Sequence, residues 1–507
     1  MKRLIFVLMA GTGLLACNGG SDSDTPASTS SPAGTDGATS SAASAGNSAN
    51  SAAETANAVR ETVAALTPSG GTSDALTIRP SSARDPGPRA GTDSAGRPLP
   101  GLTAQQLAAF TAGKADFEEA EEVDEGLGPT MNLDSCGGCH SQPSTGGTSP
   151  AVNPQVEFAT KDGQTNKLPP FITTNGPVRE ARFVRNADGS PDGGVHALFT
   201  ITGRPDAPGC NLAQPDFARQ LANRNVVFRI PTPVFGAGLI EAIPDSEIFK
   251  NQAAQADVKR SLGIRGRPNF LLNSNAISGQ VNRNGNDGTA GRFGWKAQNK
   301  SLLIFSGEAY NVEMGITNGM FPTERADEGE ICNIATLPNS DSSLDGAAPE
   351  VLSSIDLFTL FMRFLAPPTP STTLPGGTES ITRGKGLFAT TGCALCHTPS
   401  MKTYNSSVTA MRYQSANLFS DLLLHDMGRG LADGIQQGQA GGREFRTAPL
   451  WGLGQRLFFL HDGRTNDLKQ AIREHASDGS EANGVTQRFF NLNDTQQQDV
   501  FNFLRSL

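Results

Sequence analysis

Positive charge is in short supply in this chain of 507 residues. Its 41 lysines and arginines are outnumbered by 50 aspartates and glutamates, which gives a net charge of −9 and a pI near 5.3. This balance leaves no basic surface excess, so nucleic acid is excluded as the expected partner. Aromatic residues make up only 6% of the chain, against 57 glycines and 32 prolines. We therefore expect part of the chain to stay unfolded, although its length suffices for two or three domains.

Long apolar runs are missing as well, except at the N-terminus. There Lys2 and Arg3 precede LIFVLMAGTGLLA, a run that is short for a membrane span and typical of an export signal. The run ends in Leu-Leu-Ala-Cys, which resembles the lipobox of bacterial lipoproteins, with Cys17 as the lipid-bearing residue. An ordinary secretory signal with an incidental cysteine is the alternative. We predict a periplasmic lipoprotein, and Asn18, in place of the aspartate that retains lipoproteins at the inner membrane, favours the outer membrane.

Cysteine and histidine are also scarce, and most of the cysteines follow one pattern. Four of the seven cysteines form two CxxC pairs, each followed directly by a histidine. The two motifs comprise Cys136, Cys139 and His140 in NLDSCGGCHSQP and Cys393, Cys396 and His397 in TTGCALCHTP. A c-type haem requires two thiols for its vinyl groups and an imidazole for its iron, and CxxCH supplies all three in one turn of chain.

Two other uses of these motifs are open. A zinc site needs four converging ligands, but few other cysteines or histidines flank the pairs. A redox-active dithiol of the thioredoxin type does not require the histidine. Because c-type haem is attached outside the cytosol, the expected export favours haem. We predict two covalently attached c-type haems, with His140 and His397 as proximal iron ligands.

The rest of the chain divides by composition. Residues 1–17 form the predicted signal peptide, and residues 18–97, rich in Ser, Ala, Thr and Gly, form a predicted disordered linker. A helix followed by CxxCH then occurs twice, which indicates two domains of related design. We predict an N-terminal haem domain with a long insertion at 98–350 and a C-terminal haem domain at 351–507.

Helices dominate the predicted secondary structure. Thr103 with Gln106 forms a capping box at the start of one helix, and Asp494 with Gln497 is predicted to begin the last. The middle of the chain offers only short apolar runs between glycines, prolines and asparagines. The predicted fold is therefore mainly α, with long irregular loops and few short strands.

A sixth iron ligand decides whether a haem only transfers electrons or also reacts with a small molecule. After the second motif, LLLHDMGRGL offers His425 and Met427 as candidate ligands. His461 lies in a predicted polar turn and is a candidate pocket residue. His475, on the apolar face of a helix, is expected to be a core histidine. For the first motif, Met131 is expected to have a core role rather than to bind iron.

Three further residues are candidates for catalysis. Glu308 and Glu313 in FSGEAYNVEMG would supply the acid–base function that O–O bond cleavage requires. Solvated carboxylates on the surface are the alternative for both. Trp295 in RFGWKAQ would carry electrons between the haems, or else anchor the core.

Two cysteines remain outside the motifs and the signal. Cys210 and Cys332 are predicted to form a disulfide, because an exported chain folds in an oxidising compartment. Two buried free thiols are the alternative.

An ordered set of segments carries a family resemblance. GLGPTMNLDSCGGCH, GKGLFATTGCALCHTP, DLLLHDMGRGLADG, EFRTAPLWGLG and FLHDGRTNDLKQAIREH resemble, in this order, the bacterial di-haem oxidoreductases, also labelled thiol oxidoreductases or peroxidases. These are related to the di-haem cytochrome c peroxidases and to MauG. The resemblance implies two mostly helical, cytochrome-c-like domains with one haem each. By position, it implies that the haem held by His140 reacts with peroxide and that electrons enter at the haem held by His397.

The functional hypothesis is an exported di-haem oxidoreductase that reduces peroxide with electrons from a small redox protein or another donor. An electron-transfer cytochrome without catalysis is one alternative. A haem oxygenase acting on an organic substrate is another, and a surface protein that uses the haem body as a scaffold is a third.

Overall fold

The computed structural model describes residues 78–91, 94–271, 276–277, 280–281, 289–323, 330–335 and 352–507. The predicted signal peptide, its Cys17 and most of the predicted linker lie outside these ranges. Within them, no helix combines the length and apolar character needed to cross a membrane.

The described residues contain thirteen α-helices. They are α1 Ala104–Glu118, α2 Cys136–Cys139, α3 Gln155–Phe158, α4 Phe217–Ala222, α5 Ala237–Glu241, α6 Asp245–Ala253, α7 Ala256–Ser261, α8 Leu302–Met314, α9 Ser354–Phe364, α10 Gly377–Thr391, α11 Leu468–Glu474, α12 Asn483–Asn491 and α13 Asp494–Ser506. Several are a single turn long, and long irregular segments separate them.

Thirteen strands of two to four residues accompany these helices in the described part of the chain. They are β1 Thr130–Met131, β2 Glu180–Phe183, β3 Val195–His196, β4 Phe199–Thr200, β5 Val226–Arg229, β6 Phe270–Leu271, β7 Ala276–Ile277, β8 Gln280–Val281, β9 Thr289–Ala290, β10 Met401–Lys402, β11 Ser415–Ala416, β12 Leu424–Asp426 and β13 Glu444–Arg446. Strands β3, β2 and β5 form a three-stranded antiparallel sheet, and the others pair in twos.

The secondary structure is mixed rather than mainly α. Helix accounts for 35% and strand for 11% of the structure. The strands are short, as predicted, but more numerous than predicted. Strands are recognised in a sequence by alternating apolar and polar residues, and a strand of two residues is too short to show this alternation.

Each CxxCH motif follows a helix that packs closely against a later helix. Helix α1, which begins with the predicted Thr103–Gln106 capping box, packs on α9. Helix α10 packs on α13 in the same manner. A Cβ at Gly113 of α1 would collide with the carbonyl oxygen of Leu357, and a Cβ at Gly384 of α10 with that of Asp499. Glycine is therefore required at both crossings, and the two motifs are presented by equivalent helix pairs.

The predicted disorder of the linker does not extend over residues 78–91, which we name the N-terminal strap. Asp85 in the strap forms a two-point ion pair with Arg505 of α13, with both N···O distances at 2.7 Å. The Lys469 amine donates to the carbonyl oxygens of Ser81 and Ala83. A few anchoring residues thus order a segment whose average composition is that of a linker.

Cys210 and Cys332 form the predicted disulfide. The bond links the loop after β4 to a turn that follows α8, and both cysteines are buried in the larger apolar core.

Candidate functional site

The first cavity is the pocket around Cys136, Cys139 and His140. Helix α2 carries both thiols in the cavity wall, and His140 follows as its C-terminal cap. The Nδ1 atom of His140 lies 2.9 Å from the carbonyl oxygen of Gly147. Because a carbonyl only accepts, Nδ1 carries the proton and Nε2 keeps a free lone pair. Burial lowers the pKa of His140, so the ring is neutral.

The second cavity is the pocket around Cys393, Cys396 and His397, and it repeats this design. The Nδ1 atom of His397 lies 3.0 Å from the carbonyl oxygen of Phe419, which again leaves Nε2 unprotonated. Burial, and next the charge of His475, lower the pKa of His397 to about 4. A neutral imidazole with its second nitrogen bonded to a carbonyl is the form in which histidine binds metals.

The donor set at both cavities fits a haem. All four thiols are free of disulfides. Aliphatic and aromatic side chains form much of both walls, including Phe117, Leu133, Val178, Phe305 and Phe358 in the first cavity and Phe388, Phe445, Phe459, Phe489 and Leu504 in the second. Such walls suit a flat apolar ring.

Two buried arginines strengthen this fit. Arg229 lines the first cavity, is 3% exposed, and its Nε has no hydrogen-bond partner. Arg456 lines the second cavity, is 8% exposed, and its guanidinium has no partner among the described residues. The other nitrogens of Arg229 are bonded to Asp433 and Gln437, so only its Nε lacks an acceptor, whereas Arg456 is a buried charge without a partner in the described part of the chain, which is costly. A haem carries two carboxylates, so one in each cavity would supply these missing acceptors.

Trp295 lines both cavities and therefore lies between them. Its indole nitrogen donates to the carbonyl oxygen of Ile230 at 2.9 Å. Its own carbonyl oxygen accepts from the backbone of Arg446 at 2.8 Å. These two bonds fix the ring in the wall that the cavities share.

Glu313 reaches the first cavity as one half of a carboxyl pair. Its side chain is hydrogen-bonded to that of Glu180, and Asn132 donates to it at 2.8 Å. Arg182 donates to Glu180 at 2.6 Å. Burial and the charge of Glu180 raise the pKa of Glu313. Burial by itself would also raise the pKa of Glu180, but the charges of Arg182 and Arg229 lower it overall. The two shifts run in opposite directions, which favours a proton on Glu313 and a negative charge on Glu180.

Glu308 lines the same cavity from the same helix, α8. It is 6% exposed and accepts from Asn299 at 2.5 Å. Glu308 is therefore buried and Glu313 is half-buried in the cavity wall, in contrast to the alternative of solvated surface carboxylates. Met131 is fully buried in the core, in strand β1.

His425 has both ring nitrogens occupied, and its role as an iron ligand stays a prediction. Nε2 lies 2.9 Å from Asp421 and Nδ1 lies 2.7 Å from Glu481. Iron binding would leave one of these carboxylates without its partner in the protein interior. Met427 lies in the wall of the second cavity, and its role as a ligand stays a prediction.

The other two histidines of the C-terminal region also line the second cavity. His461 stacks on Phe445, with the ring centroids 4.3 Å apart, and meets Trp295 edge-on. His475 follows α11 as its C-terminal cap. Burial lowers the pKa of both imidazoles, that of His461 to about 4.

Sequence reasoning missed Glu180, Arg182, Arg229 and Arg456. Glu180 and Arg229 stand opposite each other in the register of β2 and β5. Neither strand shows a motif, so only the pairing of distant segments brings these side chains to the cavity. The unpaired state of Arg456 likewise emerges only from the packed structure.

Comparisons with known proteins give one family match. The model of the family described as "Di-haem oxidoreductase, putative peroxidase" matches residues 180–507, which is more than half of the chain. No curated protein matches the chain.

Two solved structures are similar in part. Hydrazine synthase from Kuenenia stuttgartiensis is 13% identical, covers 87% of this chain and 98% of its own, and has a TM-score of 0.34. A MauG-like protein associated with microbial copper homeostasis is 18% identical, covers 43% of this chain and 69% of its own, and has a TM-score of 0.26. Scores this low carry no inference about fold or activity.

Proposed function

Because this chain belongs to the di-haem oxidoreductase family, we propose that it is an exported redox enzyme with a covalently attached c-type haem in each cavity. It reduces peroxide at the first cavity, and the electrons enter through the second. Cys136 and Cys139 attach one haem and Cys393 and Cys396 the other. His140 and His397 bind the irons through Nε2.

The observation that carries this proposal is the carboxyl pair of Glu180 and Glu313 in the first cavity. Splitting an O–O bond requires a proton for the departing oxygen, and a buried carboxylic acid that is protonated at neutral pH can donate it. When bound, the haem supplies the redox chemistry. Glu313 donates the proton, and Arg182 stabilises the negative charge that remains on Glu180.

Among the residues that the structure describes, none supplies the second cavity with an equivalent acid, which supports its assignment to electron entry. Glu481 is the only acidic residue among the described residues that line it, and it is bonded to His425. Trp295 supports electron passage between the cavities, because its ring belongs to both walls. Its indole N–H faces a carbonyl rather than a base, so the ring keeps its proton during that passage.

Two cytochrome-c-like domains, at 98–350 and 351–507, remain the proposed organisation. The equivalent packing of α1 on α9 and of α10 on α13 supports a repeated design, although α9 follows the proposed boundary at residue 350. Helix α9 also contributes to the first cavity through Phe358 and Met362.

The proposal is tested on the purified holoprotein with a reduced donor and hydrogen peroxide. We expect donor oxidation that depends on peroxide and a high-spin signal from one haem, which peroxide changes. Two low-spin haems that do not respond to peroxide would identify an electron-transfer cytochrome instead. Oxygen consumption with cleavage of an organic substrate, without any donor, would identify an oxygenase.

Export and lipid anchoring rest on the sequence. The N-terminal run and its lipobox-like end support a periplasmic lipoprotein held by Cys17 at the outer membrane, and the Cys210–Cys332 disulfide suits an oxidising compartment.

Cys17→Ser is expected to move the protein from the membrane fraction to the soluble periplasmic fraction, because the lipid is the proposed anchor. Fractionation and mass spectrometry of the N-terminus provide the measurement. A variant that stays in the membrane fraction contradicts the anchor.

A further inference from the structure

A buried tyrosine and a buried glutamate meet at the wall of the first cavity, and the proposed peroxide chemistry uses neither. Tyr310 lies on α8, is 3% exposed and lines this cavity. Its phenol hydroxyl donates to the Oε1 atom of Glu121 at 2.6 Å. Glu121 follows α1 and is 8% exposed. The structure thus encloses an oxidisable ring together with an acceptor for its proton.

This pair lies close to the attachment point of the first haem. Met314, one helical turn after Tyr310, has its sulfur 3.9 Å from that of Cys136. The backbone N–H of Glu121 donates at 2.9 Å to the carbonyl oxygen of Asp134, two residues before Cys136. Both partners are therefore anchored against the segment that would hold the haem.

Oxidation of a tyrosine requires a base beside its hydroxyl. Removing one electron from a phenol makes its O–H strongly acidic, so the electron leaves readily only where the proton can leave as well. A carboxylate within hydrogen-bond distance can take that proton. Burial raises the pKa of Glu121 to about 7, which makes it a stronger base than an exposed carboxylate. Trp295 lacks this arrangement, because its indole N–H faces a backbone carbonyl.

We propose that Tyr310 is a redox-active tyrosine, which holds an oxidising equivalent on the protein when peroxide has reacted at the first cavity and no donor electron has arrived. The phenol gives one electron to the haem that peroxide has oxidised, and its proton moves along the existing hydrogen bond to Glu121. The products are a neutral tyrosyl radical, a protonated Glu121 and a haem that has regained one electron. An electron from the donor reverses the change, and the proton returns to the phenol. This inference rests on the proposed function, because hydrogen peroxide is the oxidant.

The burial of Tyr310 suits this role. Its ring packs edge-on against Phe358, with the centroids 5.0 Å apart, and a radical enclosed in this way is kept from solutes that would consume it. The other tyrosines of the chain, Tyr404 and Tyr413, are 63% and 61% exposed. They offer no such protection and serve as controls.

The test uses the scarcity of tyrosine, since the chain has three. With Tyr404→Phe and Tyr413→Phe combined, Tyr310 is the one tyrosine left. The holoprotein of this double variant is mixed with hydrogen peroxide without a donor, on the alkaline side of neutrality, and frozen for electron paramagnetic resonance. We expect a radical signal whose hyperfine splitting changes when the protein carries ring-deuterated tyrosine. Adding Tyr310→Phe should abolish this signal.

Glu121→Gln tests the proton acceptor in the same background. Glutamine keeps the hydrogen bond to the phenol but is too weak a base to take its proton, so the radical yield should fall by about tenfold or more. Glu119→Gln is the matched control, because it removes an exposed carboxylate two residues away and should leave the yield as it is. Haem content is quantified on the same samples.

A haem that responds to peroxide while no tyrosyl signal forms would overturn the inference and leave the proposed function intact. A radical that ignores tyrosine deuteration and survives Tyr310→Phe would also overturn it, since the electron then comes from another residue. An unchanged yield in Glu121→Gln would remove Glu121 as the proton acceptor.

Failure of the proposed function has a different signature, namely haems whose spectra peroxide does not change. The same variants are then oxidised with photogenerated ruthenium(III) tris-bipyridine, which needs no peroxide. A tyrosyl signal that Tyr310→Phe abolishes supports the redox role of this residue, and the absence of such a signal overturns it.

Discussion

Glu313→Gln is expected to lower the turnover of peroxide by about 10²- to 10⁴-fold, the usual contribution of a positioned general acid. The amide is nearly isosteric and keeps the contact to Asn132, but it has no acidic proton for the departing oxygen. Haem content and the affinity for the electron donor should not change. Steady-state kinetics of the variant, with haem quantified on the same samples, provide the measurement.

The pH dependence separates this role from a structural one. The pKa of Glu313 is raised by burial and by Glu180, so the acid is protonated below its raised pKa and lost as the pH rises through it. Wild-type turnover should therefore fall on the alkaline side, and Glu313→Gln should lack this decline. Glu308→Gln is the matched control, because Glu308 lies on the same helix and lines the same cavity but is bonded to Asn299. Equal losses in the two variants would contradict the assignment.

Asp85→Ala is expected to lower the free energy of unfolding by about 3–5 kcal/mol, because it leaves a buried guanidinium without its partner. The Arg505 side chain is 1% exposed and that of Asp85 is 8% exposed. Burial by itself would raise the pKa of Asp85, but the hydrogen bond and the charge of Arg505 lower it overall. The contribution of the pair is therefore present above the unfolded pKa of Asp85 and is lost as the pH falls through its folded value.

Denaturant titration of the holoprotein measures this loss. Ser82→Ala is the control within the N-terminal strap, since Ser82 forms only exposed hydrogen bonds to Asp494 and should change the stability little. Replacing both partners, in Asp85→Ala with Arg505→Leu, should recover part of the loss, because no charge is then buried alone. A stable single variant would mean that the strap does not hold α13.

Local chemistry made much of this site predictable. The CxxCH motifs, the disulfide and the capping box at Thr103 are short patterns whose residues act within a few positions or within a small set of cysteines. The last helix shows the limit of such patterns. Asn493 and Asp494 are both good caps, and Gln496 and Gln497 both follow three residues later. The structure uses Asn493 with Gln496, one position before the prediction.

The acid pair and the order of the N-terminal strap depend on distant contacts. Glu180 meets Glu313 because β2 pairs with β5 and places its side chain against α8, and no local signal records that pairing. The strap is ordered because Asp85 forms an ion pair with Arg505, which lies more than 400 residues later in the sequence. The average composition of residues 18–97 predicts disorder, because it gives no sign that one carboxylate, that of Asp85, pairs with a distant arginine.

The unpaired Arg456 has a consequence for how the protein matures. On the proposed function, a folded chain without its haem would enclose a guanidinium with no counter-charge, beside apolar walls. That state is penalised relative to an open one, so stable closure and cofactor attachment are coupled events. On the proposed function, we therefore expect an added protease to cut the chain without haem faster than the holoprotein.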